Sequence, residues 1–293
     1  MSKYRNMRMG LCALFAAMLF LRCAPAQNKV ETIPYGANPA AGHYLRVDDA
    51  NIYYETYGSG GTPLVLLHGG LYGYIDEFGD LIGQLSKHRR VIAIATRGHG
   101  KSDIGNKPFS YALFANDALA VIHRETNEKV DVVGFSDGAI TSYLLVSEHP
   151  ELVRRLVAIG GPRGEKDWTE SAVKEIKQSQ PSDVEKSSPG FVAERKKLMP
   201  APERWEEFVA RVTKLEDAFE HVSDQQIQSI QKPTLILAGD RDPYNRAEKF
   251  LEIYRLLPHG QLAIIPGCGH VVLDCKPELA IEAIADFLVK AAP

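Results

Sequence analysis

Six short, almost wholly apolar runs recur at residues 64–67, 91–95, 130–135, 156–159, 234–238 and 262–265, separated by longer amphipathic segments. Runs this short and this uniformly apolar suit strands covered on both faces, the situation of parallel strands flanked by crossover helices. The segments 78–85, 111–122, 139–147, 247–257 and 278–289 place apolar residues three and four apart, which predicts helices. Strand and helix alternating in this way predict an α/β fold with a mostly parallel central sheet flanked by helices. Ahead of it, residues 43–47 and 51–57, rich in β-branched and aromatic side chains around Asp48-Asp49, read as a hairpin.

The rhythm fails once. Residues 162–232 are rich in Lys, Glu and Gln with helical patterning and no apolar strand run. The segment reads as a helical cap inserted between two parts of one core, 43–161 and 233–293, with Trp168, Trp205, Phe208 and Phe219 supplying its packing material.

At the start of the chain Lys3, Arg5 and Arg8 precede the apolar run 10–21, and Ala24-Pro25-Ala26 offers small residues for cleavage. The run has 12 residues, well short of the roughly 20 that a permanent membrane span needs. Residues 1–26 therefore read as a signal peptide for export to the periplasm or beyond, with 27–42 a leader; a lipoprotein anchored through Cys23 is the lesser reading, because Arg22 is not the small residue such processing wants. Removing 1–26 takes out four cations and no acids, so a net charge of −3 becomes −7 and clustered positive charge for nucleic acid is missing. Cys268 and Cys275 would remain, in an oxidising compartment where a bridge persists. They stand either as a short-loop disulfide beside His270 or as two thiols.

Gly134-Phe135-Ser136-Asp137-Gly138 falls where a predicted strand meets a predicted helix. Serine in that context occupies a sharp turn, flanking glycines relieve the crowding, and the hydroxyl is exposed. A serine hydroxyl is a weak nucleophile until a base takes its proton and an acid orients that base. Both partners follow in order at the ends of late strands, where open α/β sheets build their sites. His270 comes after the run 262–265, and Asp242 is chosen over Asp240 because its side chain must be carried clear of the strand end. His68-Gly69-Gly70 follows the first strand run, and there Gly70 offers one backbone N–H for a developing oxyanion while Asp137 offers the other. His68 reads as structural, the base being already assigned.

These blocks, with Arg97-Gly98-His99-Gly100-Lys101-Ser102, resemble in order those of the α/β-hydrolase fold family with an inserted cap, over almost all of residues 43–291. The resemblance implies that Arg97 and His99 are scaffold and that the acid lies three residues after Gly239, at Asp242. It further implies a serine hydrolase that cleaves small carboxylic esters through an acyl-enzyme on Ser136. The Gly-x-Ser-Asp-Gly variant resembles the biphenyl-hydrolase-like proteins, valacyclovir hydrolase among them, and implies that Asp137 receives the α-amino group of an amino-acid ester. A second reading of Asp137 stands beside it, an acid that stabilises the N-terminus of the following helix. Tyr72 and Tyr74, after the oxyanion loop, are expected to line the substrate pocket.

The same triad serves cofactor-free haloperoxidases or perhydrolases and C–C bond hydrolases, and the fold also serves as a ligand-binding module. An aminopeptidase fits less well, since Leu71-Tyr72 follows His-Gly-Gly where Pro-Gly is usual. No metal-ligand spacing or phosphate-binding loop is visible, so no cofactor is expected, and the partner is a small-molecule ester.

Overall fold

Eight strands form one sheet in the order β1-β2-β4-β3-β5-β6-β7-β8 in the computed structural model, which describes residues 33–178, 181–217 and 221–289. The proposed signal peptide, residues 27–32 of the leader and Phe219 lie outside the described residues. The strands are β1 (Gly42–Val47), β2 (Ala50–Tyr57), β3 (Leu64–Leu67), β4 (Val91–Ile94), β5 (Val130–Phe135), β6 (Val153–Ile159), β7 (Thr234–Gly239) and β8 (Gly260–Ile265). The hairpin β1–β2 is antiparallel and β2 meets β4 antiparallel; every pairing from β4 through β3 to β8 is parallel.

Side chains alternate across the sheet and feed two cores. Val65, Leu67, Val130 and Val132 pack on one face with α2 (Tyr111–Glu125), α3 (Asp137–Glu148) and α9 (Ala247–Leu256). Leu64, Leu66, Val133 and Phe135 pack on the other with α1 (Gly79–Leu85) and α11 (Pro277–Val289). This period of two is what makes each central strand read as a continuous apolar run.

Between β6 and β7 the chain forms α4 (Glu170–Gln178), α5 (Pro181–Ser187), α6 (Pro189–Leu198), α7 (Trp205–Glu216) and α8 (Asp224–Ser229). Along α7, Trp205, Phe208, Val209, Val212 and Leu215 recur at helical spacing and are all buried, in the same core cluster as α2 and α3. Each such side chain contributes about 1.5–3 kcal/mol by leaving water, so the cap is fixed to the core through α7. Arg163 ties the start of the cap to its end and to α9, pairing with Asp167 (2.6 Å), Asp224 (2.8 Å) and Glu252 (2.7 Å). Arg195 of α6 holds Asp76 with two bonds of 2.8 and 2.9 Å. Among the described residues no helix is long and apolar enough to cross a membrane.

The Arg97 block is a turn between β4 and α2. Arg97 is fully buried and grips Asp117 of α2 at 2.6 and 3.0 Å and also Asp49 of the β1–β2 turn. Removing one partner of a buried ion pair leaves the other charge without compensation, at about 3–5 kcal/mol. Arg97→Met is expected to lose stability of that order in urea unfolding; a loss below about 1 kcal/mol would show that the pair contributes little.

Candidate active site

The site begins with a backbone problem. Ser136, between the end of β5 and the start of α3, has φ 52° and ψ −116°, a region that side chains rarely adopt. The neighbouring chain is packed so tightly that a Cβ at Gly134 would strike the Gly138 carbonyl, and one at Gly138 would strike the Leu67 carbonyl. Both glycines of the motif are thus required by close approach. The Ser136 N–H donates to the Ile159 carbonyl of β6 (2.8 Å), so the turn is anchored to the sheet while its side chain points away.

The structure brings Ser136, His270 and Asp242 together. Ser136 Oγ lies 3.0 Å from His270 Nε2, and His270 Nδ1 lies 2.8 Å from Asp242 Oδ2. With the Nδ1 proton donated to Asp242, Nε2 is free to accept from the hydroxyl. The His270 ring is wedged between Phe135 and Tyr244, with centroids 4.9 and 5.1 Å away. Gly160, at φ +60°, lies beneath it, where an added Cβ would come within 3.1 Å of the ring.

Asp242 is held by its own loop: Oδ1 accepts the N–H groups of Tyr244 (2.8 Å) and Asn245 (3.1 Å). Burial pushes its pKa up, but the His270 bond and charge and these two amides outweigh burial and hold the carboxyl below its ordinary range. Asp240 turns elsewhere and accepts from the Gly267 N–H (2.5 Å). Cys268 and Cys275 are joined as a disulfide around His270, Cys275 being the last residue of the short helix α10 (Val272–Cys275).

Gly70 sits beside the nucleophile turn, where a Cβ would fall 2.7 Å from Asp137 Oδ2 and 2.8 Å from Glu216 Oε1. The preceding amide is already engaged, since the Gly69 N–H donates to Glu77 (2.6 Å). His99 Nε2 contacts the Gly70 carbonyl at 3.1 Å, and the buried His68 donates Nδ1–H to the Gly69 carbonyl (2.7 Å) while accepting the Thr96 N–H at Nε2 (3.0 Å). Burial lowers the pKa of both imidazoles, that of His68 to about 4, so they are neutral struts for the loop.

The two tyrosines of the loop part company. Tyr72 is exposed and leans on Phe191 of the cap, ring centroids 5.3 Å apart. Tyr74 does not face substrate: it is buried in the core, and its hydroxyl donates to the Gly36 carbonyl (2.6 Å). Its apolar ring supports the loop from behind.

Three residues that sequence reasoning missed stand close by: Glu77, Tyr111 and Glu216. Burial drives Glu77 up to about 8, against the pull of the Gly69 N–H. Burial likewise raises Asp137 to about 6, with Tyr111 and His270 pulling the other way. Glu216, at the end of α7, is raised well above the carboxylate range by burial and then by the charge of Asp137. No ion pair joins Asp137 or Glu216 to a cation among the described residues. Among them there is also no group of three His, Cys, Asp or Glu residues arranged to hold a metal ion.

A family model described as the alpha/beta hydrolase family matches residues 64–286. The chain is 26% identical over 86% of its length to the 2-(acetamidomethylene)succinate hydrolase of Mesorhizobium japonicum, 98% of which is covered. It is 24% identical to the serine hydrolase BPHL of Mus musculus, over 75% of this chain and 76% of that one. The crystal structure of the enol-lactonase from Burkholderia xenovorans LB400 superposes with a TM-score of 0.69 at 18% identity, covering 85% of this chain and all of the other. A membrane phospholipase A gives 0.72 at 23% identity, covering 85% of each. At these identities the two structures speak to the fold alone.

The raised Glu77 pKa has a measurable consequence. A carboxyl whose folded pKa lies above its unfolded value contributes stability that is fully present at acid pH and is lost as pH rises through about 8. Glu77→Gln keeps an acceptor for Gly69 but cannot ionise, so between pH 6 and 9 wild type should lose urea stability that the variant retains. Equal slopes in both proteins would contradict this.

Proposed function

The chain belongs to the alpha/beta hydrolase family, and within it we propose a serine esterase that cleaves small carboxylic esters through an acyl-enzyme and prefers esters whose acyl part carries an ammonium group. The observation that carries the esterase reading is the continuous chain from Ser136 Oγ through His270 to Asp242. In this reading Ser136 Oγ attacks the ester carbonyl carbon as its proton passes to His270 Nε2. The resulting oxyanion takes the N–H groups of Gly70 and Asp137. His270 then gives its proton to the departing alkoxide, and water, deprotonated by the same nitrogen, releases the acid from Ser136. Asp242 keeps Nε2 facing the reaction and stabilises the imidazolium.

The ammonium preference rests on Asp137, whose half-buried carboxyl follows the nucleophile directly and has no cation of its own among the described residues. Drawing a carboxylate out of water without a countercharge is costly, and a cationic acyl group would supply that charge. The names of two relatives, the 2-(acetamidomethylene)succinate hydrolase and a 2-hydroxy-6-oxo-2,4-heptadienoate hydrolase of Pseudomonas putida, indicate substrates that bear carboxylates. Asp137 offers no attraction to an anion, which favours the ester reading over C–C cleavage of such acids. The disulfide at Cys268–Cys275 suits an oxidising compartment and so supports export by residues 1–26.

On a panel of neutral and amino-acid esters, Ser136→Ala should abolish turnover and Asp242→Asn should lower kcat about 10⁴-fold; wild-type rates in Ser136→Ala would refute the mechanism. Asp137 ionises as pH rises through about 6, so the ratio of kcat/KM for an ammonium ester to that for its neutral analogue should climb between pH 5 and 7. A flat ratio in wild type, or the same climb in Asp137→Asn, would count against Asp137 as the amine partner.

A further inference from the structure

Two carboxyls from separate elements converge beside Gly70, and a phenol from a third faces them. Asp137 comes from the first turn of α3, Glu216 from the last turn of the cap helix α7, and Tyr111 from the first turn of α2. The two carboxyls approach the same point above Gly70, 2.7 and 2.8 Å from where a side-chain carbon would sit, so that only glycine leaves the space open. Tyr111 is 97% buried, since only 3% of its surface is exposed; its hydroxyl stands near enough to Asp137 to pull that carboxyl down and feels the charge of both carboxyls, yet it completes no hydrogen bond of ordinary geometry. A buried hydroxyl without a partner costs about 1–3 kcal/mol and marks a contact still to be made.

The other groups that face this point do not supply a fixed cation: the ring of His221, which packs on Tyr111 at 4.7 Å, has its pKa lowered by burial. His270 lies within electrostatic reach of Asp137 but is committed to Ser136 and Asp242. The Leu71 N–H donates to Glu216, and the Tyr244 phenol feels its charge. The site therefore holds two acids and a phenol oxygen, and what it lacks is a group with one positive charge and several N–H donors.

We propose that Asp137, Glu216 and Tyr111 form a three-acceptor seat for a primary ammonium, so that Glu216, delivered by the cap, determines which class of amine the acyl group carries. The inference deepens the ammonium-ester reading and rests on it. A primary ammonium has three N–H groups, one for each acceptor, while the Tyr111 hydroxyl can still donate its own proton to a carboxylate. Any proton held by the carboxyl pair leaves when the ammonium enters. Each N-methyl group removes one donor without removing the charge, which separates this seat from a simple electrostatic attraction.

The test uses benzyl esters of alanine, N-methylalanine, N,N-dimethylalanine, N,N,N-trimethylalanine and propionic acid, with kcat/KM measured on the full protein. Wild type should favour the alanine ester over the propionate and lose roughly tenfold per added methyl group. In Glu216→Gln and Tyr111→Phe the ladder should flatten, and the loss on the alanine ester should exceed that on the propionate at least tenfold for Glu216→Gln. A flat ladder in wild type, or an unchanged ladder in Glu216→Gln, would overturn the three-acceptor seat while leaving the role of Asp137 intact. No preference for alanine over propionate in wild type would overturn both. Should Glu216→Gln fail to fold, the wild-type ladder and Tyr111→Phe decide.

Discussion

Ser136 occupies a backbone conformation that the chain would not adopt by itself, and the surrounding site depends on holding it there. The positive φ turns the hydroxyl out of the sheet and towards His270, and it is sustained by contacts in which two glycines allow backbone to touch backbone. The supports lie on neighbouring strands. β3 brings the Leu67 carbonyl against Gly138, and β6 receives the Ser136 N–H, so the parallel sheet acts as the rigid frame for one strained residue. His270 follows from the same frame, since β7 and β8 carry it and Asp242 to the sheet edge where Ser136 emerges.

The acids around this centre show how environment separates identical groups. Asp242 is buried yet held below its ordinary range, because an imidazole and two backbone amides are aimed at it. Asp137 and Glu216 are raised, because burial, and for Glu216 the charge of Asp137, outweighs the few donors that reach them, Tyr111 and the Leu71 N–H. The first arrangement is complete in itself and suits a permanent anion; the second is incomplete until something cationic arrives. The second pair lies one on each side of the core–cap boundary, so the proposed ammonium seat would draw the cap into acyl recognition.

Much of this was legible in the sequence, for reasons that can be named. Central strands buried on both faces must be apolar throughout, so 64–67 and 130–135 appear with the bounds that the structure gives them. Ser136, Asp242 and His270 were legible because each follows a strand run at the sheet edge. What stayed hidden depends on tertiary approach. Glu216 lies in a helix with two other acids, Glu206 and Glu207, and nothing local distinguishes the one that meets Asp137 across the cap. Glu77 acts through a bond to Gly69 that no spacing announces. Tyr74 misled because proximity to the oxyanion loop suggests exposure, whereas the turn at Gly73 directs the ring inward. The pairing of Cys268 with Cys275 was open in the sequence, since it depends on a Cα separation, 5.8 Å here, that only the folded loop sets.

Covalent chemistry begins on Ser136 Oγ in the proposed reaction. Peptide mapping by mass spectrometry after treatment with a fluorophosphonate examines it most directly, because that reagent phosphonylates an activated serine and releases fluoride. The account predicts one adduct per chain, on the peptide containing Ser136, and a large drop in its rate of formation in His270→Ala. An adduct on another residue, or complete absence of labelling in a protein that still hydrolyses esters, would contradict it.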